Sequence, residues 1–131
     1  MAAVPRVSLH DRPTLRELLE AVRGYITDEV ASVANDRRAR FRALIAANVL
    51  ALAERELAST ADDDAAENAL FASLELREGT LDERRGELAR RIRAGRYDQE
   101  PAHRAASAYA RETVRRKLAV ANPRFIERVE H

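Results

Sequence analysis

The chain has 131 residues and a formal net charge of +1, with acids and bases interspersed along its length. One domain is the ordinary expectation for that length, and the mixed charge lacks the segregated basic surface that duplex nucleic acid requires. The absence of cysteine excludes disulfides, thiolate zinc sites and cysteine nucleophiles.

Leu, Ile, Val and Phe together make up only 30 of the 131 residues, a little above the level at which disorder is the prior. The core is therefore expected to be thin and alanine-rich, so that close helix packing or a partner must compensate. The opening "MAAVPRVSLHDRP" lacks the apolar centre of a signal peptide, and residues 1–12 read as a flexible arm. "ALIAANVLALA", Ala43 to Ala53, is uncharged but would rise only about 16 Å as a helix, where a membrane span needs about 20 residues. A soluble cytoplasmic protein is expected.

In chain order, "TLRE" at Thr14 to Glu17 has the form of a capping box and opens the first helix. Leu15, Leu18, Leu19, Val22, Ile26, Val30 and Val33 then recur at spacings of three and four, and Asn35 suits a helix end. The second helix runs from about Asp36 to Ser59. Phe41, Leu44, Ile45, Val49 and Leu52 form one face, with Ala43, Ala47, Leu50 and Leu57 behind. A helix apolar nearly all round is expected to be central.

A third helix opens at "ADDDAAENALFASL", where Asp62, Asp63 and Asp64 suit the positive end of a helix and Leu70, Phe71 and Leu74 face inward. "TLDE" at Thr80 to Glu83 repeats the capping box and starts a fourth helix, with Leu81, Leu88, Ala89 and Ile92 inward and Gly95 as its stop. A fifth spans about Pro101 to Ala121, with Ala106, Tyr109, Ala110, Thr113, Val114 and Leu118 inward. Asn122 and Pro123 end it, because a residue before proline is pushed from the α region. Residues 124–131 form a tail carrying Phe125, Ile126 and Val129. The expected fold is all-α: one domain, a compact, mostly antiparallel five-helix bundle around an apolar second helix.

The most informative polar residue is Asn48, which the 100° periodicity places among Phe41, Leu44, Ile45 and Leu52. A buried amide needs a partner, so Asn48 reads either as a lock for helix packing or as the floor of a pocket. Arg55 and Glu56 follow two turns later, and Glu29 lies near the apolar stripe of the first helix. A buried Glu–Arg network between the first two helices accounts for these charges; the sharper alternative is a carboxylate poised for acid–base work. Arg37, Arg38, Arg40 and Arg42 crowd the start of the second helix and are candidates for a phosphate or an acidic partner surface. "RRGELARRIRAGR" is a second basic stretch; Glu83 just before it and Glu87 within it can pair with their own helix. His10, His103 and His131 are scattered without metal-ligand spacing, and no catalytic or cofactor motif is present.

Three segments, "DRPTLRELLEAV", "AANVLALAEREL" and "KLAVANPRF", resemble a family of small all-helical bacterial domains of unknown function. Members are often encoded beside, or fused to, phosphotransferases similar to aminoglycoside kinases, in neighbourhoods that also hold acyl-CoA dehydrogenases. Asn48, Arg55, Glu56, Asn122, Pro123 and Arg124 match the family pattern, whereas Leu44 stands where the family commonly has a basic residue. The resemblance implies an accessory role beside a phosphotransfer or acyl-CoA enzyme. The leading expectation is a non-enzymatic interaction domain without cofactor or metal, bound to such an enzyme and capable of self-association. The alternative is a bundle that binds acyl-CoA or a phosphate-containing ligand at Asn48, Arg55 and Glu56, and a nucleic-acid role for the basic stretches ranks third.

Overall fold

The computed structural model describes residues 12–131, so the expected arm at 1–12 lies outside the described residues except for Arg12. The fold is all-α, with no strand among the described residues. Helix α1 spans Leu15–Tyr25 and leads into a π-helical segment, Ile26–Ala31. Helix α2 spans Arg37–Ser73, α3 Leu81–Arg93, α4 Ala102–Ala121 and α5 Pro123–Glu130. The chain divides into two units between Thr60 and Ala61.

The five helices are not the five expected from sequence. Helix α2 continues through Ser59 and the three aspartates to Ser73, joining two expected helices into one. Three consecutive aspartates are weak helix formers, but Ala61, Ala65 and Ala66 surround them, and Asp63 is held by Arg116 at 2.8 Å. At the other end, the expected tail is helix α5. Asn122 accepts a hydrogen bond from the Phe125 amide, and Pro123 takes the first helical position, where its missing N–H costs nothing. One dipeptide thus stops α4 and starts α5.

The first unit departs from the simple stripe: Leu15, Leu18 and Val22 are already exposed in α1, and the π segment changes the phase beyond it. An α-helical phase would carry Ile26, Val30 and Val33 along one face. The wider π turn shifts that phase: Ala31 is buried instead, while Val30 and Val33 stand in water. The side of α2 turned inward is also not the expected one. Ala43, Ala47 and Glu54 are buried, whereas Phe41, Leu44, Ile45, Asn48, Val49 and Leu52 are exposed. Alanines permit close approach of backbones, and the bulky face is left outside.

The second unit closes around Phe71, Leu74, Leu76 and Leu88, with Leu81, Tyr97, Ala105, Ala106 and Tyr109 packed against them. Ile92 and Val114, expected inward, are exposed. Helix α2 ends in a Schellman motif: Leu76 N–H donates to Phe71 C=O and Glu75 N–H to Ala72 C=O. Leu76 is thereby folded back onto Phe71. Helix α3 ends the same way, with Arg96 N–H bonded to Arg91 C=O and Gly95 N–H to Ile92 C=O. The expected stop at Gly95 holds, with φ at 80°. Thr14 and Thr80 cap α1 and α3 as expected, accepting from the Glu17 and Glu83 amides.

Candidate functional site

In the first unit the buried charge is Glu54, one residue before the expected pair. It falls on the alanine face, eleven residues after Ala43 and seven after Ala47, which is the same side of a helix. Arg23 of α1 reaches it from the other helix, with Nε donating to Oε2 at 2.6 Å and Nη2 to Oε1 at 3.3 Å. The Glu54 side chain is 10% exposed and that of Arg23 40%. The hydrogen bond to Glu54, and then its charge, raise the Arg23 guanidinium above its ordinary value. A Glu–Arg bridge between the first two helices is therefore present, but with other residues than Arg55 and Glu56. Arg55 is half-buried, and Glu56 and Glu29 are in solvent.

Asn48 corrects a central expectation. It lies in the middle of the exposed apolar stripe, not in a core, so its amide carries no desolvation cost in the free chain. Arg37, Arg38, Arg40 and Arg42 are all exposed. The Asp36 carboxylate accepts from the Arg38 amide at 3.1 Å and so caps this helix start, softening the placement of four cations at its positive end.

The second unit holds a polar cluster that sequence reasoning missed. Glu67 of α2 accepts from the Tyr109 hydroxyl of α4 at 2.7 Å and from Nε of Arg85 of α3 at 2.9 Å. Arg85 also donates to Asp82 at 2.7 Å. Tyr109 stacks on Phe71 with ring centroids 5.1 Å apart. The Arg84 guanidinium lies 5.3 Å from the Phe71 ring centre and donates to Asn68 at 2.7 Å. Burial, then the bond to Glu67, push the Tyr109 phenol up to about 12. Burial works against the Glu67 carboxylate, but the hydrogen bonds from Arg85 and Tyr109 outweigh it and hold Glu67 below its usual value. One turn away, Arg116 joins Asp63 to Glu112, and Arg115 also donates to Glu112.

At neutral pH this cluster is a phenol that donates, a Glu67 carboxylate that is ionised, and guanidiniums already engaged with oxygens of α2 and α3. It has the chemistry of a brace across α2, α3 and α4, with no free base beside a nucleophile. Among the described residues no group of three His, Asp or Glu is placed to hold a metal ion. The available signal was helical spacing: Glu67 precedes Phe71 by one turn, and Tyr109 lay on the expected inward face of its helix. In "RRGELARRIRAGR", Glu87 pairs within its helix with Arg90 at 3.0 Å and Arg91 at 3.2 Å, as the spacing suggested. The Tyr97 hydroxyl is buried without a well-formed hydrogen bond; its proximity is nevertheless the main influence raising the Arg91 guanidinium.

The chain belongs to the family described as Domain of unknown function (DUF6285), whose pattern matches residues 33–125. That range takes in Asn48, Arg55, Glu56, Asn122, Pro123 and Arg124, and leaves out α1. No curated protein and no solved structure matches the chain. No helix among the described residues is long and apolar enough to cross a membrane.

Proposed function

We propose that this protein is a non-enzymatic accessory domain that binds a protein partner through its first unit. The observation that carries the reading is the apolar surface left in water there. Leu15, Leu18, Val22 and Tyr25 of α1 are exposed, and so are Phe41, Leu44, Ile45, Val49 and Leu52 of α2. Phe41 is 64% and Val49 61% exposed. Single exposed apolar residues are ordinary, but a run of them along two helices is the mark of an interaction surface. The polar clusters support the same reading, since their charges are spent on one another.

The partner class rests on the family resemblance: a phosphotransferase-like or acyl-CoA-metabolising enzyme in the bacterial cytoplasm. A ligand pocket at Asn48, Arg55 and Glu56 has less support, because Asn48 and Glu56 are in solvent. The test is capture by the tagged full chain from an extract of its own cells, with wild type and Ile45→Asp compared by mass spectrometry. The expected result is an enzyme of one of these classes retained by wild type and lost by the variant. Identical capture profiles would contradict the proposal.

A further inference from the structure

We propose that a second copy of this chain covers the exposed stripe of α2, paired antiparallel about the neighbourhood of Asn48. The inference rests on reading the first unit as an interaction surface and names one occupant for it. Phe41, Ile45, Val49 and Leu52 form the apolar part of the stripe, with Asn48 among them. Arg38 closes it at the N-terminal end and Glu56 at the C-terminal end. At 100° per residue these positions fall within about 100° of arc, and every one of them is exposed.

The charges choose the direction. Arg38 and Glu56 lie at the same angular position on α2, eighteen residues or about 27 Å apart. Turning a second α2 end for end places each Arg38 against the Glu56 of the other copy. The two-fold axis then crosses the exposed stripe at the level of Ala47 along the helix, Ile45 of one copy meets Val49 of the other, and Phe41 meets the neighbourhood of Leu52. Both ion pairs form on the same side of the seam in this arrangement. Parallel pairing sets Arg38 against Arg38 and Glu56 against Glu56, and the like charges oppose it.

Asn48 explains itself in the same arrangement. It lies one residue from the two-fold axis, and a carboxamide carries both donors and an acceptor. Two copies of Asn48 can therefore satisfy each other across the axis, where an apolar partner surface would strand the amide. A polar residue at the centre of an apolar seam fixes register in this way at some cost in affinity.

Sedimentation equilibrium of the full chain over a range of concentrations tests the proposal, with circular dichroism confirming that each variant keeps its helix content. Wild type is expected to form a reversible dimer. Arg38→Glu and Glu56→Arg should each raise the dissociation constant several-fold, because each sets like charges together at two places. The double variant should return towards wild type, and an equimolar mixture of the two single variants should form a mixed dimer more readily than either alone. A wild type that stays monomeric at its highest soluble concentration overturns the proposal, as do single reversals that leave the dissociation constant unchanged. A monomer that still captures a partner enzyme in an Ile45-dependent manner overturns self-pairing alone and leaves the proposed function standing.

Discussion

Phe71 and Phe41 lie on one helix and meet opposite fates. Phe71 is 0% exposed, stacked on Tyr109 and covered by Arg84, whereas Phe41 stands in solvent. The difference lies in what each unit supplies to bury a large side chain against. The second unit brings α3 and α4 against its part of α2, and leucine and tyrosine fill the space between them. The first unit ties α1 to the alanine side of α2 through Arg23 and Glu54, and its buried apolar residues, Ala31, Ala43 and Ala47, enclose little volume. A thin chain can thus give one unit a complete core and leave the other with unused apolar surface.

The largest expected effect breaks the comparison at its strongest point. Phe71→Ala should destabilise the second unit by about 3–5 kcal/mol, the usual cost of deleting a buried aromatic ring. Phe41→Ala, measured in dilute protein, should cost within about 0.5 kcal/mol, as exposed substitutions do. Chemical denaturation of both variants checks the contrast, and equal losses would erase the distinction between the units.

A smaller effect concerns the brace in the second unit. The Glu67 carboxylate is held low, so its contribution is present at neutral pH and is lost as pH falls through its folded value, below the ordinary carboxylate range. The Tyr109 phenol is raised to about 12, so its contribution is complete below about 10, the unperturbed value, and fades as pH rises towards 12. Alkaline difference absorbance of wild type against Tyr109→Phe should show the late-titrating phenol. Glu67→Gln should bring that titration earlier without returning it fully to the ordinary value, since burial remains. A Tyr109 that titrates at about 10, the unperturbed phenol value, would show that no such brace forms.

The smallest effect compares the two Schellman ends. Gly95 occupies the left-handed position after α3 at no steric cost, whereas Glu75 holds φ at 58° after α2. Glu75→Gly should stabilise the second unit by up to about 1 kcal/mol, the left-handed penalty less the added freedom of the unfolded chain. Thermal melts of the pair decide it; a loss of stability would mean that the Glu75 side chain contributes more than its backbone costs.

The sequence made the helical class legible because apolar spacing and the threonine caps at Thr14 and Thr80 are local signals. It also showed the stops at Gly95 and Asn122. It did not show that α2 runs through Asp62, Asp63 and Asp64, because the Asp63–Arg116 bond that helps hold the helix there spans 53 residues. The π segment was hidden for a related reason: periodicity assumes a constant turn, and Ile26–Ala31 changes it. Helical spacing sets Asn48 among its apolar neighbours, but a stripe alone does not say whether its own chain covers it. Spacing does not single out Glu54 from Arg55 and Glu56, because only the position of α1 decides which side of α2 is inward.

Under the proposed pairing, the first unit is completed by association while the second is complete in itself. Residue-resolved amide hydrogen exchange of the full chain, at concentrations well below and well above the dimer dissociation constant, tests this most directly. Protection across Arg38 to Glu56 should rise with concentration, while the amides around Phe71, Leu88 and Tyr109 exchange at the same rate throughout. Exchange independent of concentration in both units would contradict the account.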